Sequence, residues 1–446
     1  MKYGNNLYWV WLSERIGSSY KDLRVLLHLY TDPFDIFRLD VSEIEHIRGL
    51  SAKAKSALCD KRLERAMRIC EYCSSKGVSI MGYHDPSYPD RLRTLEDPPA
   101  LLYVLGKLPS IDDKACIGVV GTRSMSEYGR ENAYKISYEL SSAGMVVISG
   151  MARGIDAIAA CAAIEAGGTT VAVLGCGIDT VYPKEHATLM TQIARHGAVI
   201  TEYAPGEPPY GRNFPKRNRI ISALSNSVLV VECMERSGSL ITAKYAIAQG
   251  KAVYALPGKI GDKNSEGTNN LIKDGARLAL SSGDIIDGYS FLYLDTLNIE
   301  AYNKAKNRVH SIDGVISKYG IAPPSRRGTG VKKDTFVGTN VKDEKEVSAK
   351  QPASMPSVRG SDENKQMKTT DAVHHAVTDT VTESILSTLD GVGRRIFENM
   401  PCGTPVSIDG LALSDMGIGD VMTSLTLLEL NGLIESVPGG MYLRRK

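Results

Sequence analysis

Met145-Val146-Val147-Ile148-Ser149-Gly150-Met151-Ala152-Arg153-Gly154-Ile155-Asp156-Ala157-Ile158-Ala159-Ala160 is the stretch on which the fold turns. An unbroken apolar run ends at Ser149-Gly150, and Gly154-Ile155-Asp156 opens a helix of small residues. A short strand with no polar alternation is buried on both faces, which is the habit of a parallel sheet covered by helices. Small residues let the following helix sit close to that sheet. Its N-terminus then faces outward beside Arg153, so that N–H groups, the helix dipole and a full cation meet where an anion would lie. The plainer alternative is a tight strand-to-helix turn with Arg153 solvated.

The same alternation extends in both directions. Strands are predicted at Cys116–Gly121, Met145–Gly150, Thr170–Gly175, Ala198–Glu202, Val228–Glu232 and Ala252–Pro257. Helices are predicted between them at Tyr128–Gly144, Ile155–Ala166, Lys184–His196, Arg217–Leu224 and Leu240–Gln249. This is an α/β pattern with an extended Rossmann-like parallel-sheet core. Four turns of phosphate-binding type punctuate it: Gly121-Thr122-Arg123, Ser149–Gly154, Phe214-Pro215-Lys216-Arg217-Asn218-Arg219 and Ser237-Gly238-Ser239. In such a sheet they converge at one edge, where ligands bind. Phe214–Arg219 puts three cations at a helix start, which the dipole disfavours unless an anion is bound. Phe214 is placed to stack on a base, or else to fill the core. Ser237 or Ser239 either caps the next helix or meets a phosphate.

Outside the core the pattern changes. Residues 1–80 read as an N-terminal helical domain, in which Ile44–Ala54 fits either a helix-hairpin-helix element or a plain bundle with a Gly turn. The core is expected to span 81–300. Residues 301–380 are rich in Lys, Ser, Thr, Asp and Gly and read as a flexible linker. Residues 381–446 order as helix (Ile385–Asn399), short helix (Ile408–Leu413), longer helix (Ile418–Asn431) and a Leu433–Val437/Met441–Arg444 hairpin, a C-terminal winged-helix domain. Ile418–Asn431 contains no Lys or Arg, which suits a protein-contact or oligomerisation module better than a duplex reader. Arg444, Arg445 and Lys446 read as a solvated tail.

Composition bounds the chemistry. With 446 residues and a net charge of +2, any nucleic-acid affinity must come from a local patch. Eight scattered cysteines fit a reducing cytoplasm, and the lone Cys70/Cys73 pair has no second pair to complete a metal site. No apolar run approaches about 18 residues, so no membrane insertion is expected. Neither a Walker-type loop nor a G-x-G-x-x-G fingerprint occurs, so no nucleotide cofactor is expected. The histidines lack metal-ligand spacing, and neither a metal nor a catalytic residue is assigned.

Val119–Arg123, Ile148–Asp156, Ala172–Gly177 with Tyr182-Pro183, Phe214–Ile221, Val230–Glu232 with Ser237–Ala243, Pro257-Gly258, and Gly267–Ile272 with Gly275-Ala276 occur in an order and spacing that resembles the DNA-processing protein A (DprA/Smf) family. The resemblance implies a non-enzymatic, dimeric single-stranded DNA binder that helps load the RecA recombinase on incoming DNA in natural transformation. It implies Arg123 as a phosphate clamp, Gly150 and Arg153 in the adjacent anion turn, and Phe214, Lys216, Arg217, Asn218 and Arg219 as a second wall. Gly121, Thr122, Ser149, Gly154, Ser237, Gly238 and Ser239 are further candidate phosphate contacts. Ala160 stands where the family commonly places a histidine, and Thr201-Glu202 replaces the more usual Ser-Glu pair. A nucleoside-monophosphate phosphoribohydrolase-like enzyme is the rival, with Glu202 and Glu232 as the candidate bases. A transcriptional regulator is the third reading.

Overall fold

The computed structural model describes residues 3–16, 19–308 and 312–321, and toward the C-terminus 391–401, 404, 406–407, 421, 424–425, 428–429, 433–437 and 441–444. The chain divides into two units, Met1–Thr335 and Phe336–Lys446.

The first unit is built on a nine-stranded sheet. Its strands are β1 (Val78–Gly82), β2 (Leu101–Gly106), β3 (Cys116–Val120), β4 (Val146–Ser149), β5 (Thr170–Val173), β6 (Gly197–Thr201), β7 (Ser227–Val230), β8 (Ala252–Ala255) and β9 (Arg277–Leu278). The spatial order is β1-β2-β6-β5-β4-β3-β7-β8-β9. β6 through β9 in that order run parallel, while β2 is antiparallel to both β6 and β1. β1 and β2 are not among the strands expected from the sequence; they flank the proline-rich stretch Asp85–Pro99.

Alternate strand residues enter two different cores, as a double-sided sheet requires. Ile117, Val119, Val147, Ala172, Val199 and Leu229 join one core with α8 (Glu127–Ser142) and α9 (Ile155–Glu165). Cys116, Val120, Ile148, Val171, Ile200 and Val230 join the other with α11 (Asn213–Leu224) and α12 (Ser239–Ala248). The other helices around the sheet are α7 (Asp90–Arg93), α10 (Ala187–His196), α13 (Lys263–Lys273) and α14 (Gly283–Ile286).

The N-terminal helices are α1 (Asn6–Ile16), α2 (Tyr20–Leu29), α3 (Pro33–Arg38), α4 (Val41–His46), α5 (Ala52–Leu58) and α6 (Glu64–Lys76). Trp11, Leu12, Leu26, Ile44 and Leu58 bury into the same core as α8 and α9, so these helices are continuous with the sheet unit. Cys70 and Cys73 are buried in α6, where burial pushes their thiols up to about 11 and about 12. Thiols so held are poor nucleophiles.

Two expectations change here. The segment expected to be a linker from residue 301 opens with α15 (Ile299–Lys306) and α16 (Ile312–Lys318). Tyr302, Ala305, Ile316 and Tyr319 are buried, and Lys318 and Tyr319 donate to Glu165 of α9 at 2.7 and 2.6 Å. A few apolar anchors in a polar stretch are enough to dock two short helices. Residues 322–380 of the expected linker lie outside the described residues. Second, α11 begins at Asn213 instead of Arg217, so Phe214–Arg219 forms its first turns. Pro215 is tolerated there because a first-turn N–H has no intrahelical acceptor to lose.

In the second unit α17 (Gly391–Asn399) packs with a three-stranded sheet of β10 (Val406–Ser407), β11 (Ile434–Val437) and β12 (Met441–Arg444), ordered β10-β12-β11. Ile396, Phe397, Val421, Leu425, Leu428 and Ile434 form its core, and Val421, Leu425 and Leu428 follow helical spacing. A helix packed on a small antiparallel sheet fits the expected winged-helix domain. Ile408–Leu413 and most of Ile418–Asn431 lie outside the described residues. Arg444 is not a solvated tail residue: it donates to the Phe397 and Met400 carbonyls at 3.1 and 3.3 Å and caps α17. Arg445 and Lys446 lie outside the described residues. Among the described residues no helix is long and apolar enough to cross a membrane.

Candidate nucleic-acid interface

β3 and β7 are neighbours, yet the chain leaves β3 for β4 on one side and β7 for β8 on the other. The crevice beyond the carboxyl ends of two such strands is where open α/β sheets bind ligands. A cavity of about 630 Å³ lies there, walled by Gly121–Ser124 after β3, Arg236–Ser239 after β7 and one flank of α11.

The turn after β3 is stitched to its neighbours. Thr122 N–H donates to the Glu232 carbonyl at 2.7 Å, and Ile155 N–H donates to the Thr122 carbonyl at 3.2 Å. A side chain on Gly121 would meet Ile155. Thr122 is buried, and its hydroxyl accepts from Ser124 N–H at 3.2 Å. Arg123, next in sequence, is exposed, with its guanidinium carbon 5.8 Å from the Phe214 ring centroid. Tyr182 packs on the same ring at 5.2 Å.

The turn after β4 is occupied from within. Gly154 has φ +75°, and a Cβ there would strike the Thr122 carbonyl. Gly150 N–H, expected to face an anion, donates to Asp156 Oδ2 at 3.1 Å. Burial pushes the Asp156 carboxyl up, while the neighbouring Arg217 opposes that shift. Ser149 donates its hydroxyl to the Val119 carbonyl at 2.7 Å and is 2% exposed, so it braces two strands and does not reach the cavity. Arg153 is exposed at the rim and ion-paired with Glu185.

The cations of α11 separate by role. Arg217 is 4% exposed; it donates to the Gly150 carbonyl at 3.0 Å and to the Val173 carbonyl. Burial pushes its pKa down to about 10, with Asp156 pulling the other way. It therefore ties β4 to β5 beneath the cavity and is not a free phosphate clamp. Arg219 is 2% exposed and forks onto Glu202 at 2.7 and 2.8 Å, with Asp97 at 2.8 Å from its Nε. Although burial disfavours its charge, those two carboxylates raise its pKa further. The expected role of Arg219 as a DNA contact is thus replaced by a buried ion triad. Lys216 lies on the far flank of α11, in a different cavity. Asn218 links α11 to the next turn by donating to the Gly238 carbonyl at 3.4 Å.

At α12 the hydroxyls of Ser237 and Ser239 bond each other at 2.8 Å, and Gly238 is exposed with open space where a Cβ would sit. Thr242 one turn on lines the cavity, 1% exposed, with no hydrogen-bond partner for its hydroxyl among the described residues. Arg236 and Tyr182 also line it and were not assigned from sequence. Their signals were their places beside the Ser237–Ser239 turn and before Pro183. Together Arg123, Arg236, Phe214, Tyr182 and the serine turn offer cations, aromatic faces and hydroxyls, the set that holds a single strand by backbone and base.

The candidate enzyme bases are engaged elsewhere. Glu202 belongs to the ion triad. Glu232 is 1% exposed and caps α8, accepting from Ser126 N–H at 3.0 Å and from the Ser126 hydroxyl. The helix-hairpin-helix reading also meets an internal competitor. α4 and α5 flank a turn at Gly49, φ +88°, but Ser51 N–H at the start of α5 donates to Asp22 at 2.6 Å. That backbone amide is therefore already committed within the chain.

The chain is similar to known proteins in both sequence and fold. Residues 79–290 match the family model for DNA recombination-mediator protein A, and residues 382–440 match the DprA winged helix domain. Protein Smf of Synechocystis is 31% identical over 382 residues, covering 85% of this chain and 83% of that one. Protein Smf of Escherichia coli is 43% identical over 205 residues, 46% of this chain and 54% of that one, so the match spans about half of that relative. The X-ray structure of DNA processing protein A from Streptococcus pneumoniae is 33% identical and superposes with a TM-score of 0.55, covering 63% of this chain and 97% of that one.

Proposed function

This chain belongs to the DNA recombination-mediator protein A family, and from that premise we propose that its switch-point cavity binds single-stranded DNA without sequence preference. The observation that carries the reading is the Arg123–Phe214–Tyr182 cluster lining the cavity beside Arg236 and the serine turn. Phosphates go to the two arginines and the α12 turn, and a base goes to the aromatic faces. Arg153 exchanges Glu185 for a phosphate at the rim.

The protein acts as a non-enzymatic mediator in the cytoplasm. It helps load the RecA recombinase on incoming single strands, in natural transformation where the host takes up DNA. The engagement of Glu202 and Glu232 in structural contacts supports the non-enzymatic reading. A homodimer is supported by β9, the edge strand among the described residues, where Leu278 and, just beyond the strand, Leu280 are exposed.

Fluorescence-anisotropy titration of oligo(dT) and matched duplex across a salt series tests the reading. Preference for single strands is expected, with a slope of about −0.7 per phosphate neutralised. Equal affinity for duplex, or base release from nucleoside monophosphates, would overturn it.

A further inference from the structure

α11 divides the basic segment between two cavities. Phe214, Arg217 and Asn218 face the switch point, whereas Arg212, Asn213 and Lys216 line a second cavity of about 590 Å³ shared with α1, α2 and α6. Pro209, Gly211 and Pro215 line the first cavity in the same short segment, so a strand leaving it over the start of α11 reaches the second directly.

The chemistry of the second cavity differs from the first. Its charges cancel: Arg65 pairs with Glu14, Arg219 and Lys216 face Asp97 and Glu202, and Arg212 and Glu207 add one of each sign. A balanced set offers a phosphate no net attraction. Inside it, Asn213 is 6% exposed, and its Nδ2 has no hydrogen-bond partner among the described residues. A buried amide without a partner is unfavourable, and a ligand carbonyl that accepted from it would offset that cost. Tyr20 and Tyr203 line the same cavity and supply aromatic surface.

We propose that this second cavity is a nucleobase pocket, taking a neutral base of the same strand whose backbone crosses the start of α11. The assignment rests on the single-strand reading above. The Asn213 amide is enclosed as it stands, and a rotation of its side chain presents it as donor to a base carbonyl such as those of thymine; Glu207 accepts from a base N–H, and a tyrosine ring flanks the base.

The test compares two oligomers of equal length and equal phosphate count, about 12 nucleotides each. One is all thymidine. The other keeps thymidine only at its central four or so positions and is abasic elsewhere. Wild-type protein is expected to bind the first about tenfold more tightly, the worth of one stacked base. In Asn213→Ala that advantage disappears while the salt slope stays unchanged, and Glu207→Gln reduces it. Both variants are checked for unaltered thermal unfolding, so Glu207→Gln carries the test if Asn213→Ala fails to fold. Equal binding of the two oligomers by wild type would overturn the pocket. So would an unchanged advantage in both variants, or a shallower salt slope in Asn213→Ala, which marks a phosphate site instead. Failure of wild type to bind either oligomer would strike the single-strand reading itself, a distinct result.

Discussion

The Arg123 guanidinium lies over the face of Phe214, 5.8 Å from the ring centroid, at the mouth of the switch-point cavity. The two side chains come from different turns, one after β3 and one in the first turn of α11, yet they bring a charge and a π surface together at one point. A strand entering there meets both with one nucleotide.

Loss of the two residues is therefore expected to read differently. Phe214→Ala should weaken single-strand binding by about 1–3 kcal/mol, roughly 5- to 150-fold, without changing the salt slope. Arg123→Ala should lower the slope by about 0.7, the signature of one lost phosphate contact. Anisotropy titrations at several salt concentrations separate the two effects.

Arg219 should behave as a structural residue. Removing one partner of a buried ion pair costs about 3–5 kcal/mol, because the other charges stay buried and uncompensated. Arg219→Met is expected to lower unfolding free energy by that order in urea denaturation. Fraction-corrected DNA binding should keep its wild-type salt slope. A reduced slope with unaltered stability would place Arg219 on the DNA.

Gly154 turns the chain into α9 at a φ that L side chains adopt rarely, and a Cβ would strike the Thr122 carbonyl. Gly154→Ala is expected to cost about 1–3 kcal/mol and to disturb the turns after both β3 and β4. A melting temperature equal to wild type would contradict this.

His186 connects pH to the same turn. It is 1% exposed, and its Nδ1 lies 3.1 Å from the Met151 carbonyl. Burial pushes its pKa below the ordinary 6.5, so the unfolded chain takes up the proton more readily. Its contribution to stability is present above about pH 6.5 and is lost as pH falls below that value through the depressed folded-state pKa. Denaturation between about pH 5 and pH 8 should show this limb in wild type and a flatter one in His186→Phe.

Much of the architecture was legible in the sequence for a physical reason. Strands such as Val146–Ser149 and Val228–Val230 are apolar on both faces, and only a covered parallel sheet buries both. β1 and β2 were missed because they flank a proline-rich connector and pair with each other across it. The sequence marks the turns that surround the switch-point cavity, but it does not sort their charges. A sequence presents Arg123, Arg217 and Arg219 alike, whereas folding sends one to solvent, one under the sheet edge and one to Glu202 and Asp97. The Arg219 partners lie 17 residues away and farther, beyond any local pattern. Gly150 was misread because its amide is claimed by Asp156, a residue that also starts the helix thought to hold the anion.

The most direct measurement is photocrosslinking of single-stranded DNA carrying 5-iodouracil to the full-length protein, followed by peptide mapping. The stacking geometry predicts crosslinks concentrated on Phe214 and Tyr182, abolished by duplex formation. Crosslinks confined to the winged-helix domain or to the N-terminal helices, with Phe214 and Tyr182 unmodified, would contradict the switch-point cavity as the DNA site.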